Sequence, residues 1–271
     1  MKKEVIKHLV MAVIVFLVFF PFWILILNSA KTPYQFYHTD PWILARPMHW
    51  IENYRFAWAR ISGALFNSVV YAAAVSGGVV LLSAFSAFVF ARFQFRGKEA
   101  LYFLVLSLMM VPGFLTLIPA FMLNKHLGLI DSRWVLVLPP MALGQVLGIF
   151  LLRVFFEAQP AALFEAARLD GASDIQCFWY VAMPMCRPTL ATLAILNTIA
   201  LWNDLIWPYM TVGDSAKWPV ALAIFNMFQD GTVSWGTLFA AYVLASLPLL
   251  LLFFATSNAF IRGLSAGAVK N

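Results

Sequence analysis

The chain has 271 residues, of which 63% are hydrophobic and 11% charged, and its mean hydropathy is +0.85. A water-facing domain carries about a quarter charged residues, so most of this surface faces lipid. The net charge of +6 does not mark a nucleic-acid binder, because the basic residues stand singly between apolar runs, without an arginine-rich helix or basic stripe.

Lys2, Lys3 and Lys7 precede an apolar run, Leu9–Leu27. That run exceeds the ~7–15 residues of a signal-peptide core and approaches the ~20 that cross a bilayer, so it is expected to stay as a first span. Asn28 to about Phe66 reads as a long outer loop with Trp42, Trp50 and Tyr54. Spans then follow at Val69–Ala91, Leu101–Leu123 and Val135–Phe156. After a polar stretch, Leu190–Pro208 forms a fifth. A second outer loop, Tyr209–Thr237 with Trp218 and Trp235, leads to the sixth, Leu238–Phe260. Barrel strands alternate in polarity and run only about ten residues. The expectation is therefore an all-α polytopic membrane protein of about six transmembrane helices, one transmembrane domain over residues 1–271. Pro21, Pro112, Pro119, Pro139, Pro140 and Pro248 fall within spans, where neighbouring helices satisfy the freed backbone groups. The loop tryptophans and tyrosines suit anchoring at the membrane–water boundary.

Orientation follows from the basic residues. With the N-terminus inside, most of the eighteen lysines and arginines face the cytoplasm, and Arg92, Arg96 and Lys98 crowd one short turn. Both termini are then cytoplasmic. Ala73/Gly77, Ala74/Gly78 and Ser83/Ala87/Ala91 repeat at four-residue spacing, a smooth stripe for ordinary helix packing. Cys177 and Cys186 fall in an inner segment where thiols stay reduced, so no disulfide is expected. His8, His38, His49 and His126 form no HxH or HxxxH pair and there is no CxxC, so a metal site has no support.

The polar stretch Glu157–Pro188 does not fit a simple bundle. Pro160 suits a first helical turn, and Ala161–Asp170 consists of good helix formers. Gly171 can take the positive φ that ends such a helix. Ser173 with Gln176 is a capping box opening a second helix. There Ile175, Phe178, Trp179 and Ala182 are spaced to share one face, and Pro184 and Pro188 end it. The result is a helix–turn–helix elbow between the fourth and fifth spans. Resting in headgroups and docking a cytoplasmic partner are equally compatible with these residues alone.

Glu165-Ala166-Ala167, three residues, Gly171, nine residues and Val181-Ala182-Met183-Pro184 resemble the EAA signature of permeases in ATP-binding-cassette importers. Val181 and Met183 replace the signature's Ile and Leu. Asp170-Gly171-Ala172 with Phe178, Pro184 and Pro188 resembles the carbohydrate-importer version of the loop. Asn53-Tyr54, Asn67-Ser68, Leu127–Ser132, Trp202-Asn203 and the ending Arg262–Lys270 resemble other segments of the same permeases. The chain is similar, from about Trp50 onward, to the smaller permease subunit of maltose-type and glycerol-phosphate-type importers.

This resemblance implies a non-catalytic subunit in a bacterial or archaeal cytoplasmic membrane, contributing half of a sugar or polyol pathway. Its implied partners are a second permease, two ATPase subunits that carry ATP and Mg, an extracytoplasmic solute-binding protein and the lipid bilayer, with no nucleic acid. The EAA elbow would engage the ATPase, through Glu165, Ala166, Ala167, Asp170, Gly171 and Pro184. Consistently, the chain lacks a G-x-x-x-x-G-K-[ST] loop, since Gly97-Lys98 has neither the first glycine nor the following hydroxyl. It binds no cofactor of its own on this reading.

An ion-coupled secondary transporter is the alternative, but it calls for ionisable groups within spans or inverted repeats. Here Arg153 and Asp204 lie near span ends. A membrane-embedded enzyme would need paired Asp, Ser/His or His clusters within spans, and none is present. Asp204, four residues before Pro208, either reaches headgroups from the end of its span or lines the outer pathway with Asn203 and accepts hydroxyl protons from a polyol. Trp202 and Trp207 could stack on a sugar face or anchor at the interface.

Overall fold

The computed structural model describes the backbone of residues 2–268 and the side chains of 4–256. In chain order the α-helices are α1 (Lys2–Asn28), α2 (Pro33–His38), α3 (Trp50–Arg92), α4 (Lys98–Ser107), α5 (Leu117–His126), α6 (Leu138–Glu157) and α7 (Ala161–Leu169). They continue with α8 (Asp174–Cys177), α9 (Met183–Met185), α10 (Arg187–Trp202), α11 (Ile206–Thr211), α12 (Val220–Gln229) and α13 (Trp235–Ala268). No strand occurs among the described residues.

Among the described residues, four stretches are long and apolar enough to cross a membrane: Glu4–Asn28, Trp50–Arg92, Arg133–Glu157 and Trp235–Thr256. The third apolar run is a bent pair, Lys98–Met110 and Gly113–His126, meeting at 95°. Pro112 explains the bend. It donates no amide hydrogen and pushes the residue before it out of helical geometry, and Val111 is extended at φ −80°, ψ 116°. The fifth run also breaks. α10 ends at Trp202, the chain turns through Asn203–Leu205, and α11 then carries Pro208 inside it. α10 alone has 16 residues, about 24 Å at 1.5 Å per residue, so a continuous helix over 190–208 is replaced by two shorter ones.

The stretch 28–66 is a loop only as far as His49. It includes α2, opened by a Thr32/Gln35 capping box, and from Trp50 the chain is already in the 43-residue α3. Arg55 and Arg60 depress the local hydropathy, yet Asn53, Ala57, Ile61 and Ala64 form a buried stripe at helical spacing. Likewise 209–237 holds the end of α11 and all of α12 rather than open loop throughout.

Contacts divide the chain into two compact units. In the first, Met1–Phe66 with Pro219–Pro248, buried Asn53 is the organiser. Its amide donates to the carbonyls of Ser29 (2.9 Å) and Lys31 (3.0 Å) and its oxygen accepts from the Thr237 hydroxyl (3.3 Å). A Cβ on Gly236 would lie 2.1 Å from the Lys31 carbonyl, so only glycine allows that approach. Lys31 is buried and donates to the Asp40 carbonyl at 2.7 Å; burial holds its amine below the usual lysine range.

In the second unit, Asn67–Trp218 with Leu249–Asn271, α6 packs against α10 and is closely approached by α3. Part of the small-residue stripe mediates that approach. Ser83 sits so close to Gly148 that a Cβ there would meet the serine oxygen at 2.3 Å, and Gly78 lies under the Met141 side chain. Ala73, Ala74 and Gly77, by contrast, are exposed. The ending Arg262–Lys270 runs beyond what can be compared: its side chains are not described, and Val269 and Lys270 lie outside the described residues.

Candidate functional site

The segment between α6 and α10 forms two helical pieces joined by a tight turn. Pro160 precedes α7 rather than opening it, extended at φ −57°, ψ 127°. α7 closes with the amide of Ala172 on the Ala167 carbonyl (2.9 Å) and that of Gly171 on Arg168 (3.0 Å), the Schellman pattern. Gly171 takes φ +87°, as its place in the sequence requires. The Ser173/Gln176 capping box forms with both of its hydrogen bonds. An Arg168–Asp174 ion pair (2.9 Å) bridges the turn, though an exposed pair of this kind contributes little.

The second piece differs from the expected single apolar face. Phe178 and Ala182 are buried, whereas Ile175 is 64% and Trp179 46% exposed. A π-helical stretch, Phe178–Ala182, follows α8, and its wider turn puts Phe178, Ala182 and Cys186 on the buried side and leaves Trp179 outside. Ile175 lies ahead of that stretch in α8, where Cys177 takes the buried side. Pro184 lies in the first turn of α9 and Pro188 in that of α10, so each proline begins a helical piece, where its missing amide hydrogen costs nothing.

The core side of this segment rests on phenylalanines. The Phe88 ring of α3 lies 5.9 Å from Phe156, 6.3 Å from Phe164 and 5.3 Å from Phe178. Ala167 and Ala172 pack partly against the same cluster. On the other side, Glu165, Ala166, Asp170 and Gly171 are exposed together with Leu163, Leu169, Ile175 and Tyr180. Leu169, at 89% exposure, is the extreme. Large apolar side chains on a polar turn are the mark of a surface that meets something other than water.

The second candidate group separates. Asp204 lines a cavity of about 320 Å³ with Trp207, Pro139, Pro140, Leu143 and Phe114. Its Oδ1 also accepts from the Trp207 amide at 3.3 Å, at the start of α11. Asn203 is exposed and its amide donates to the Ile199 carbonyl (2.8 Å), while Trp202 is buried and absent from that cavity. Trp207, rather than Trp202, is the aromatic at Asp204. Its indole N–H donates to the Val135 carbonyl at 2.8 Å, fixing the ring as a wall. A larger groove of about 670 Å³ lies in the first unit, between Arg55, Arg60 and Thr232.

A family model described as Binding-protein-dependent transport system inner membrane component matches residues 79–266. The chain belongs to that family. It is thus a permease subunit of an ATP-binding-cassette importer, as the EAA resemblance implied. The permease is 34% identical to the Diacetylchitobiose uptake system permease protein NgcG of Streptomyces coelicolor, over 83% of this chain and 76% of that one. It is 27% identical to the sn-glycerol-3-phosphate transport system permease protein UgpE of Yersinia enterocolitica, over 96% and 95%. Its fold matches a chain from a bacterial ABC transporter involved in the import of the acidic polysaccharide alginate, with TM-score 0.79, 20% identity and coverage of 95% and 96%.

Three side chains at the elbow carried no motif signal in the sequence: Arg92, Gln159 and Arg153. Arg92 donates to the carbonyls of Phe156 and Gln159. Gln159, 7% exposed, donates to the Ala182 carbonyl (3.1 Å) and to Cys186 Sγ (3.2 Å). Arg153 pairs with Glu99 and Glu157, at 2.7 Å each, and stacks 3.9 Å over Tyr102, joining α4 to α6.

Proposed function

We propose that this permease forms half of the pathway for a sugar or polyol derivative and is driven by a separate ATPase docked on its 157–188 segment. The observation that carries the coupling role is the exposed apolar face around the EAA turn, Leu163, Leu169, Ile175 and Tyr180, on a segment whose opposite side is buried. A partner groove would bury that face, and Glu165 would offer a charge-assisted hydrogen bond to a basic group there. Glu165, Ala166, Ala167, Asp170, Gly171 and Pro184 are the coupling residues on this reading.

The substrate class is supported by what the relatives are named for: diacetylchitobiose, sn-glycerol-3-phosphate, and melibiose, raffinose and stachyose. Asp204, with Asn203 close by, would accept hydroxyl protons, and Trp207 takes over the aromatic role assigned to Trp202. Six crossings with both termini cytoplasmic complete the reading, with the bent pair as the third crossing and α10 as the core of the fifth. The basic turn Arg92–Lys98 supports this orientation. The complex would hold a second permease, two ATPase subunits with ATP and Mg, and a solute-binding protein, in a bacterial or archaeal inner membrane.

The test is uptake into proteoliposomes holding the whole complex. Sugars and polyol phosphates are supplied outside with the binding protein, and ATP is trapped inside with the ATPase. Uptake that requires ATP and survives collapse of proton and sodium gradients is expected. Uptake driven by a gradient without ATP would replace this reading with secondary transport.

A further inference from the structure

The end of α6 is where the 157–188 segment joins the membrane helices. A helix leaves its last four carbonyls without intrahelical partners. Arg92, the last residue of α3, answers one of them, on Phe156, and the carbonyl of Gln159 just past the helix end. One terminal guanidinium nitrogen donates to the Phe156 carbonyl and, at 2.9 Å, to that of Gln159. The central carbon of the same guanidinium lies over the Phe164 ring of α7, 4.0 Å from its centroid. One side chain therefore touches the ends of α3 and α6 and the first turns of α7.

Gln159 makes a second tie. Its amide crosses to the Ala182 carbonyl and Cys186 Sγ, so the approach to α7 and the π-helical piece are held as one body. The phenylalanines beneath are of a different kind. Contacts among Phe88, Phe156, Phe164 and Phe178 are non-directional, so they hold the segment down without fixing its angle. The planar guanidinium and the amide fix that angle. Arg92 Nε and Gln159 Oε1 are buried and unpartnered, a cost that an apolar pair in the same place would avoid.

We infer that Arg92 and Gln159 are positioning residues that turn a displacement of the EAA segment into movement of α3 and α6. The inference rests on the coupling role proposed for that segment. Arg92 is the rigid link, and Gln159 makes the two helical pieces respond together. Without them the segment stays seated on its phenylalanines but slips when pushed.

The experiment uses the complete complex in proteoliposomes, with Arg92→Met, Arg92→Lys and Gln159→Leu variants. Retained ATPase, basal ATP hydrolysis and solute-stimulated hydrolysis are measured for each. Arg92→Met keeps an apolar chain over Phe164 and loses the donors. It should retain the ATPase and its basal rate while stimulation by solute falls about tenfold, within the usual range of coupling between sites. Arg92→Lys should fall in between, keeping a charge but not the planar stack. Gln159→Leu should lose less, and the Met and Leu changes together should cost less than their product, because the two act as one unit.

Full stimulation in both Arg92→Met and Gln159→Leu complexes would overturn the inference. So would loss of the ATPase from both, which would make these residues anchors rather than transmitters. A cysteine at Leu169 separates this from failure of the underlying reading. If it crosslinks to the ATPase while Arg92→Met couples normally, only the inference fails. If it never crosslinks, the coupling role of the segment fails with it.

Discussion

The amide of Ala172 donates to the carbonyl of Ala167 at 2.9 Å, and this bond exists only because Gly171 between them takes φ +87°. Nothing lies within 4 Å of where a Cβ on Gly171 would sit. The penalty for a side chain is therefore backbone strain, about 1–2 kcal/mol for alanine, with no clash added. Asparagine tolerates this region better than alanine, and β-branched valine worse. Solute-stimulated ATP hydrolysis should fall in the order Asn, Ala, Val at position 171 while the protein still inserts. A Gly171→Val complex with wild-type stimulation counts against any need for this turn.

Asp204 has two roles that one pair of variants separates. Asp204→Asn keeps an acceptor for the Trp207 amide but loses the charge. It should leave thermal stability in detergent unchanged and raise the solute concentration for half-maximal uptake by about tenfold, the order expected for a hydrogen bond to a charged group. Asp204→Ala should in addition lower stability by about 1 kcal/mol, through loss of the bond from the Trp207 amide. An unaltered concentration dependence in the Asn variant, across several solutes, would leave Asp204 only a partner of that amide.

Cys177 and Cys186 are 1% and 2% exposed. Burial pushes the Cys186 thiol up to about 11, partly offset by its bond from Gln159 and by nearby Arg92. Both should resist maleimides in the folded protein from either side of the membrane and react after denaturation. Fast labelling of either in the native state would contradict the burial. Sidedness must be read from an exposed site instead, and Leu169→Cys in a cysteine-free background should label only from the cytoplasm.

Asp131, Asp214 and Lys217 tie the turn after α5 to the turn after α11. Lys217 Nζ lies 3.1 Å from Asp214 and 3.6 Å from Asp131. The Ala216 amide, then Lys217, hold the Asp214 carboxyl below its usual value of 3.8, and Asp214 first, with Asp131, raises the Lys217 amine above 10.5. A lowered acid stabilises above its unfolded value and loses this as pH falls through the folded one. A raised base stabilises below its unfolded value and loses this as pH rises through the folded one. Amide exchange in residues 211–218 should thus show protection that is flat between about pH 5 and 9. Lys217→Met should lower protection throughout that window. A wild-type step near neutrality would implicate some other group.

Much of the site was legible because caps and turns are local. Ser173 and Gln176, Gly171 and the EAA spacing act within a few residues, so their order in the chain dictates their geometry. What stayed hidden depends on distant contacts. Arg92 and Gln159 look like ordinary residues beside a span end, and only the fold brings Phe156, Phe164 and Cys186 to them. The π-helical turn at Phe178–Ala182 defeated a period of 3.6 residues at Trp179, and ahead of it Cys177 rather than Ile175 takes the buried side of α8. In α3 the small residues Ala57 and Ala64 already marked a buried face, but Arg55 and Arg60 masked it in a hydropathy scan. Trp202 and Trp207 were indistinguishable as tryptophans near a span end. The break at Asn203–Leu205 decides which of them reaches the cavity.

Docking of a separate ATPase on the 157–188 segment is read out by crosslinking from Leu169, its most exposed apolar residue. A Leu169→Cys permease in a cysteine-free background is assembled with its complex, and a short bifunctional reagent is added under resting and ATP-bound conditions. A covalent adduct with the ATPase is expected at both stages, with loss of solute-stimulated hydrolysis on crosslinking that is reversed by cleaving the reagent. An assembled, transport-active complex in which position 169 labels freely with maleimide and never joins the ATPase would contradict this docking.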